Sequence, residues 1–582
     1  MKRNRYLIAG LAGVLALTTQ IPLAAAQEIT REETLIIDHA QSPQNAFENW
    51  NYLLPGAVLR AVGLHQFVME PLFVLNLESG EIEPWIGESM TANDTLDRWT
   101  LKIREGVTWQ DGEAFDADDV IFTIETMLAN APALRDSASL ALAVDRVERV
   151  DDLTVEFVLT APNPRFQLDM FSVRVWGAVM FVPEHIYRDE DPLTFTNYDI
   201  ENGLPLGTGP YKLVSASPTE FIYDRVDDWW ASEIGFKELP APRRIIYMLV
   251  GTEQARGDLA VRNDIDVAWN MSLGTFEVVQ ARNPNWITWR NDPIGPWLDP
   301  CHRGFDLNFT VAPWDDIEMR KALDLGIDRD EVNVFAFDDI GTVSKTVFPA
   351  YPTFTDLIAE LEEAGFASSS TADVETAKQI IESKGYVLND ADIYEKDGEP
   401  LALTIEARDQ TQDDIRMAEV LIEQLRRIGI DAQLQRVNDS TLQSHHFTGD
   451  YEAIIRSSSC GSVNEPWHTL NQFTDAEGAP IGETAGTNLP RWSGPDFERY
   501  TALVNELGTL PLDDPRVREL TLEAYELFHT NHVSYQVVQA IFLLGFNQTY
   551  WTNWPTAENN YMQPAYWWHG WVRALTELEP AS

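Results

Sequence analysis

Between about residues 301 and 530, segments with helical apolar spacing alternate with short strand-like segments, and this rhythm limits the fold more than any other feature of the chain. Helical spacing runs from Ile317 to Leu325, Val374 to Ser383 and Ile415 to Ile428; strand patterns run from Leu401 to Ile405, Ile430 to Leu434 and Ala453 to Arg456. Such alternation implies an α/β lobe. Residues 76–203 lack the rhythm. A chain of 582 residues exceeds what one hydrophobic core usually serves, so two or three lobes are expected.

The last of those strands opens Tyr451 to Trp467, Y-E-A-I-I-R-S-S-S-C-G-S-V-N-E-P-W. Gly461 and Pro466 forbid a regular ladder, so a loop begins at the strand's carboxyl end. In open α/β sheets that edge is where ligands sit. Arg456, Ser462, Asn464, Glu465 and Trp467 are therefore candidate ligand contacts. The same residues also suit an ordinary strand exit.

Lys2, Arg3 and Arg5, an apolar run from Tyr6 to about Thr18, and Ala24-Ala25-Ala26 form the pattern of a secretory signal over residues 1–26, cleaved before Gln27. The run is shorter than the roughly 20 residues a membrane span needs. With no cysteine near the cleavage site, a free periplasmic protein is expected and a lipid anchor is not. The formal charge of −50 would repel nucleic acid and anionic lipid. Cys301 and Cys460 are the only cysteines, and an oxidising compartment makes their pairing the expectation, with two separate buried thiols as the alternative.

No hydrolase, metalloprotease, nucleotide-loop or dinucleotide motif occurs, so neither an enzyme nor a cofactor is indicated. His529 and His532 lie three apart on a helical pattern, but two ligands without a third make a poor metal site. The C-terminal stretch is more informative. Five of the nineteen Trp fall between Trp551 and Trp571, interleaved with Asn and Gln. Aromatic faces beside amides suit sugars, each face covering roughly 50 Å² of a pyranose and contributing about 1 kcal/mol. Trp551 and Trp554 are the candidate platforms here, with aromatic core packing as the alternative. Asn45 and Trp50, in a polar loop near the N-terminus, are candidates for a facing rim.

The stretch T-L-K-I-R-E-G-V-T-W-Q-D-G-E-A-F-D-A-D-D-V-I-F-T-I from Thr100 closely resembles the signature of family 5 extracellular solute-binding proteins, the oligopeptide, dipeptide, nickel and oligosaccharide receptors of ABC importers. Further landmarks follow in order: L-G-T-G-P-Y-K-L from Leu206, D-R-V-D-D-W-W from Asp224, R-N-D-I-D-V-A from Arg262, E-M-R-K-A-L-D-L-G-I-D-R-D from Glu318, D-V-E-T-A-K-Q-I-I-E-S-K-G-Y from Asp373 and Q-L-R-R-I-G-I-D-A-Q-L from Gln424. The resemblance implies a two-lobed α/β periplasmic binding protein fold, class II and of the large cluster C type, with the ligand cleft between lobes. It implies a discontinuous first lobe of residues 27–75, 204–300 and 531–582, an extra subdomain at 76–203, and a second lobe at 301–530. It also implies ABC permease subunits as partners of a monomeric receptor.

Peptide receptors of that family carry W-C-A-D-Y-N-E-P, whose Asp takes the peptide ammonium; the counterpart here is S-C-G-S-V-N-E-P, with Ser462 in the Asp position. A buried ammonium without its carboxylate loses several kcal/mol. A neutral oligosaccharide is thus the expected ligand, an oligopeptide the alternative, and a secreted glycosidase a more distant one.

Overall fold

The computed structural model describes residues 29–39, 43–55, 57, 63–175, 177–409, 411–458, 460–474, 478–486 and 488–581. The signal segment 1–26 and the cleavage site before Gln27 lie outside the described residues. Two mixed sheets, each with its own apolar core, form the two lobes.

The first sheet has seven strands in the spatial order Trp286–Ile287, Gly545–Asn547, Val267–Ala268, Thr34–Asp38, Arg244–Met248, Glu220–Arg225 and Tyr211–Ser217. Thr34–Asp38 runs parallel to both of its neighbours, and its buried Leu35 and Ile37 share one face, as period-two alternation requires. The second sheet has six strands in the order Thr342–Val343, Tyr535–Phe542, Trp297–Leu307, Ala453–Ser458, Ala402–Arg408 and Asp431–Val437. Its last three strands are mutually parallel and end on one edge, with helices between them in sequence. Helices Ile317–Leu325 and Val374–Ser383 keep the bounds of their apolar spacing, because Asp316 and Asp373 cap them by accepting the backbone N–H of Glu318 and Thr376.

Residues 87–159 form a separate antiparallel sheet of four strands, Gly87–Ala92, Arg98–Ile103, Thr154–Leu159 and Val144–Asp151. The helix Ala117–Ala129 that follows the Asp111-Gly112 turn opens with a capping box: Asp116 accepts from Asp118 N–H at 2.8 Å and Asp119 accepts from Asp116 N–H at 3.2 Å.

The chain crosses between lobes twice, at the start of Trp297–Leu307 and between Phe542 and Gly545. The second crossing falls later than residue 531, where the return to the first lobe is expected from resemblance. The helix Arg516–Thr530 ends there, but Tyr535–Phe542, rich in β-branched and apolar residues, pairs antiparallel with Trp297–Leu307 inside the second sheet before the chain leaves it. Cys301 and Cys460 are joined in a disulfide that ties Trp297–Leu307 to the loop after Ala453–Ser458, with Cα atoms 4.4 Å apart.

Candidate functional site

A cavity of about 1020 Å³ lies between the lobes. Its first-lobe wall begins where the strand Val267–Ala268 ends and Trp269 to Ser272 lead into the helix Leu273–Arg282. Ser272 caps that helix by accepting Thr275 N–H, and Glu253 on the neighbouring helix accepts both the N–H and the hydroxyl of Ser272, at 2.8 and 2.6 Å. The second-lobe wall is built from the carboxyl ends of the three parallel strands: Arg408 and Asp409, Asn438 and Asp439, and Ser457 followed by Cys460. This is the sheet edge at which ligands of open α/β sheets are held.

Aromatic rings concentrate on the first-lobe side. The Trp269 and Trp567 ring centroids are 4.5 Å apart, those of Phe542 and Trp567 5.0 Å, and those of Trp567 and Trp568 5.8 Å. All four rings line the cavity, and Trp269 and Phe542 are less buried than Trp567 and Trp568. Charge concentrates on the second-lobe side, where it is largely neutralised. Arg408 meets Asp414 at 3.1 Å and Asp439 at 2.8 Å, Arg303 meets Asp414 at 3.7 Å, and Arg416 meets Asp413 at 3.3 Å and Asp338 at 3.5 Å. Across the cleft Arg256 is paired with Asp38. Each arginine of the cavity therefore already has a carboxylate, while six acidic side chains line the same space, so an anionic ligand finds little free positive charge.

Of the sequence-derived candidates, the two cysteines Cys301 and Cys460 line this cavity and the proposed ligand contacts do not. Trp50 is fully buried against Phe221 and Tyr223, its indole donating to Phe47 C=O at 2.9 Å, and Asn45 is exposed away from the cavity lining. Trp554 stacks on Phe546 at 5.0 Å and donates to Trp551 C=O, and Trp551 is equally buried in the first-lobe core. The core-packing alternative holds for Trp551 and Trp554, and Trp50 is core rather than rim, because each has an apolar sheet face to cover. Arg456 points to the other side of its strand from Ser457 and pairs with buried Asp306 at 2.8 Å. Burial alone would raise the Asp306 carboxyl, and the Arg456 and His446 charges outweigh it and hold it below the usual range.

Ser462, Asn464, Glu465 and Trp467 close against the first lobe rather than against the cavity. Ser462, fully buried, donates to Asn464, which packs beside Gly80. Glu465 accepts the N–H groups of Trp467 and His468 at 2.9 and 2.8 Å and forms a buried ion pair at 3.0 Å with Arg165 of the 76–203 segment, whose guanidinium stands 5.1 Å from the Trp467 ring. The signal for the first-lobe wall of this cavity is present in I-D-V-A-W-N, where Trp269 and Asn270 follow directly on a strand, and in Y-W-W-H, which supplies Trp567 and Trp568.

The model of the bacterial extracellular solute-binding proteins, family 5 (middle), matches residues 81–480, more than half of the chain. The chain belongs to this family. It is 24% identical over 396 residues to the nickel-binding periplasmic protein of Escherichia coli, an alignment that takes in 67% of this chain and 69% of that one. Its fold is similar to the crystal structure of a periplasmic oligopeptide-binding protein of an oligopeptide ABC transporter of Thermotoga maritima, with a TM-score of 0.82 at 24% identity over 94% of this chain and 99% of that one. A mannohexaose-bound structure of the same Thermotoga protein aligns with a TM-score of 0.77 at 23% identity, covering 95% and 99%. As a family 5 protein, the chain is the substrate-binding receptor of an ABC importer, the two lobes enclosing the substrate and presenting it to the permease.

Proposed function

We propose that this receptor captures a neutral oligosaccharide in the interlobe cavity, in the periplasm and without chemical turnover, and delivers it to its permease as a monomer. The observation that carries the reading is the pairing of an aromatic wall, Trp269, Trp567, Trp568 and Phe542, with a polar wall whose arginines are already neutralised. Pyranose faces stack on indoles, and amides such as Asn270 and Asn438 donate to and accept from hydroxyls while carboxylates such as Asp439 accept from them, without needing ligand charge. The mannohexaose held by the Thermotoga relative supports a sugar-sized ligand in this fold.

Trp269→Ala is expected to weaken binding of mannohexaose by about 1–3 kcal/mol, roughly 5- to 150-fold, and to lower the unfolding midpoint as well, since the ring also packs on Phe542, Tyr566 and Trp567. Isothermal calorimetry with mannohexaose, cellohexaose and triglycine checks the first point and urea unfolding the second. Micromolar binding of triglycine with no response to either sugar would replace the sugar by a peptide and leave the importer receptor in place.

A further inference from the structure

The strand Trp297–Leu307 pairs with Tyr535–Phe542 at Leu298 and again at His302, and the register shifts between the two. The shift leaves Asp299, Pro300 and Cys301 outside the ladder, at the crossing between the lobes, and Asp299 and Cys301 line the cavity. Bulges of this kind re-aim side chains beside binding sites. One Asp299 oxygen accepts Cys301 N–H at 2.6 Å, a turn spanning Pro300 that fixes the side chain. The other oxygen has no hydrogen-bond partner among the described residues, although the residue is only 5% exposed and that exposure opens on the cavity. A carboxyl oxygen of a largely buried residue whose remaining exposure opens on a cavity is placed to meet a ligand there.

We propose that Asp299 is a specificity-determining residue of this cavity, its second carboxyl oxygen meeting a ligand hydroxyl at the crossing between the lobes. Arg303, the nearest cation on the same strand, is shared with Asp414 and Ser457 and does not neutralise it. Glu78 of the first lobe approaches from the side of Tyr351, whose phenol both carboxyls affect and whose hydroxyl donates to Leu298 C=O. Burial pushes the Asp299 carboxyl up to about 7 and Arg303 offsets only part of that rise. Below pH 7 the group is a neutral acid that donates to a hydroxyl; above it, a carboxylate suited to a cation. The ligand class rests on the oligosaccharide reading above, whereas the contact does not.

The test measures affinity for mannohexaose and for triglycine from pH 5.5 to 8.5 in the full mature protein and in Asp299→Asn. For mannohexaose the wild-type dissociation constant is expected to change by up to about tenfold across pH 7, as the contact turns from donor to acceptor, and the Asn variant to stay flat. Parallel profiles for the two proteins would overturn the proposal. Triglycine binding that strengthens above pH 7 and is lost in Asp299→Asn would keep Asp299 as a ligand contact while refuting the neutral ligand. If neither probe binds, urea unfolding of the ligand-free proteins decides. A carboxyl raised in the folded state loses stability as pH rises from its ordinary range near 4 to about 7, so the midpoint advantage of Asp299→Asn must widen between pH 5 and 7 and then level off. An advantage that does not change with pH would overturn the proposal.

Discussion

Glu465→Ala is expected to cost about 3–5 kcal/mol of stability in the closed form, because it strands the Arg165 guanidinium inside the protein. Arg165 and Glu465 are both almost wholly buried, at 1% and 2% side-chain exposure, and meet at 3.0 Å. The arginine enters from the segment between Leu159 and Gln167, while Glu465 sits on the second lobe and anchors the short helix Trp467–Asn471 through two backbone N–H groups. Arg165 keeps hydrogen bonds to the carbonyls of Gly508 at 2.9 Å and Leu510 at 3.2 Å, which hold the charge in place but do not neutralise it. Opening the lobes would rehydrate the guanidinium, so the loss should emerge as a shift toward an open receptor as well as a lower urea midpoint. Solution scattering of the ligand-free variant should show a larger radius of gyration. A paired apolar replacement, Arg165→Met with Glu465→Leu, should recover most of the loss, since the cost lies in the unpaired charge. An alanine variant with unchanged midpoint and unchanged scattering would show that the contact does not hold the lobes together.

That contact also shows where sequence reasoning stops. Tyr451 to Trp467 was legible as a strand running into a loop at the ligand edge, and Ser457 and Cys460 do reach the cavity. Which way the next seven residues turn depends on Arg165, 300 positions away, and no local pattern encodes that partner. The C-terminal tryptophans pose the same problem. Trp554 and Trp567 both lie in the aromatic C-terminal stretch, yet one stacks on Phe546 in the core and the other borders the cavity. The lobe cores, by contrast, were legible because periodicity and caps are local: Asp116, Asp316 and Asp373 start helices where their side chains can accept the first N–H groups. The late crossing at Phe542 was missed because the pattern of Tyr535–Phe542 fits either sheet, and only its pairing with Trp297–Leu307 assigns it to the second. Asp299 was missed because a bulge in a long strand leaves no trace in alternation.

Removing the disulfide should destabilise the second lobe selectively, by at most about 5 kcal/mol in the chain-entropy model. The bond closes a loop of sequence separation 159, and that loop contains four of the six second-sheet strands whole, Thr342–Val343, Ala402–Arg408, Asp431–Val437 and Ala453–Ser458, with the larger part of Trp297–Leu307. The first sheet has all its strands outside the loop, so its unfolded ensemble is not constrained by the bond. In scanning calorimetry of Cys301→Ala with Cys460→Ala, the transition of a lobe of about 230 residues should fall by at most roughly 10 °C, given an unfolding entropy near 2.1 cal/mol/K per residue. A first-lobe transition, if resolved, should hold its temperature. Both sulfurs border the cavity, and Asp299 is fixed through Cys301 N–H, so the same variant should also bind mannohexaose more weakly and lose part of its pH dependence. Equal depression of both transitions would mean that the lobes unfold as one unit, and an unchanged second-lobe transition would mean that the native packing around Trp297–Leu307 holds without the bond.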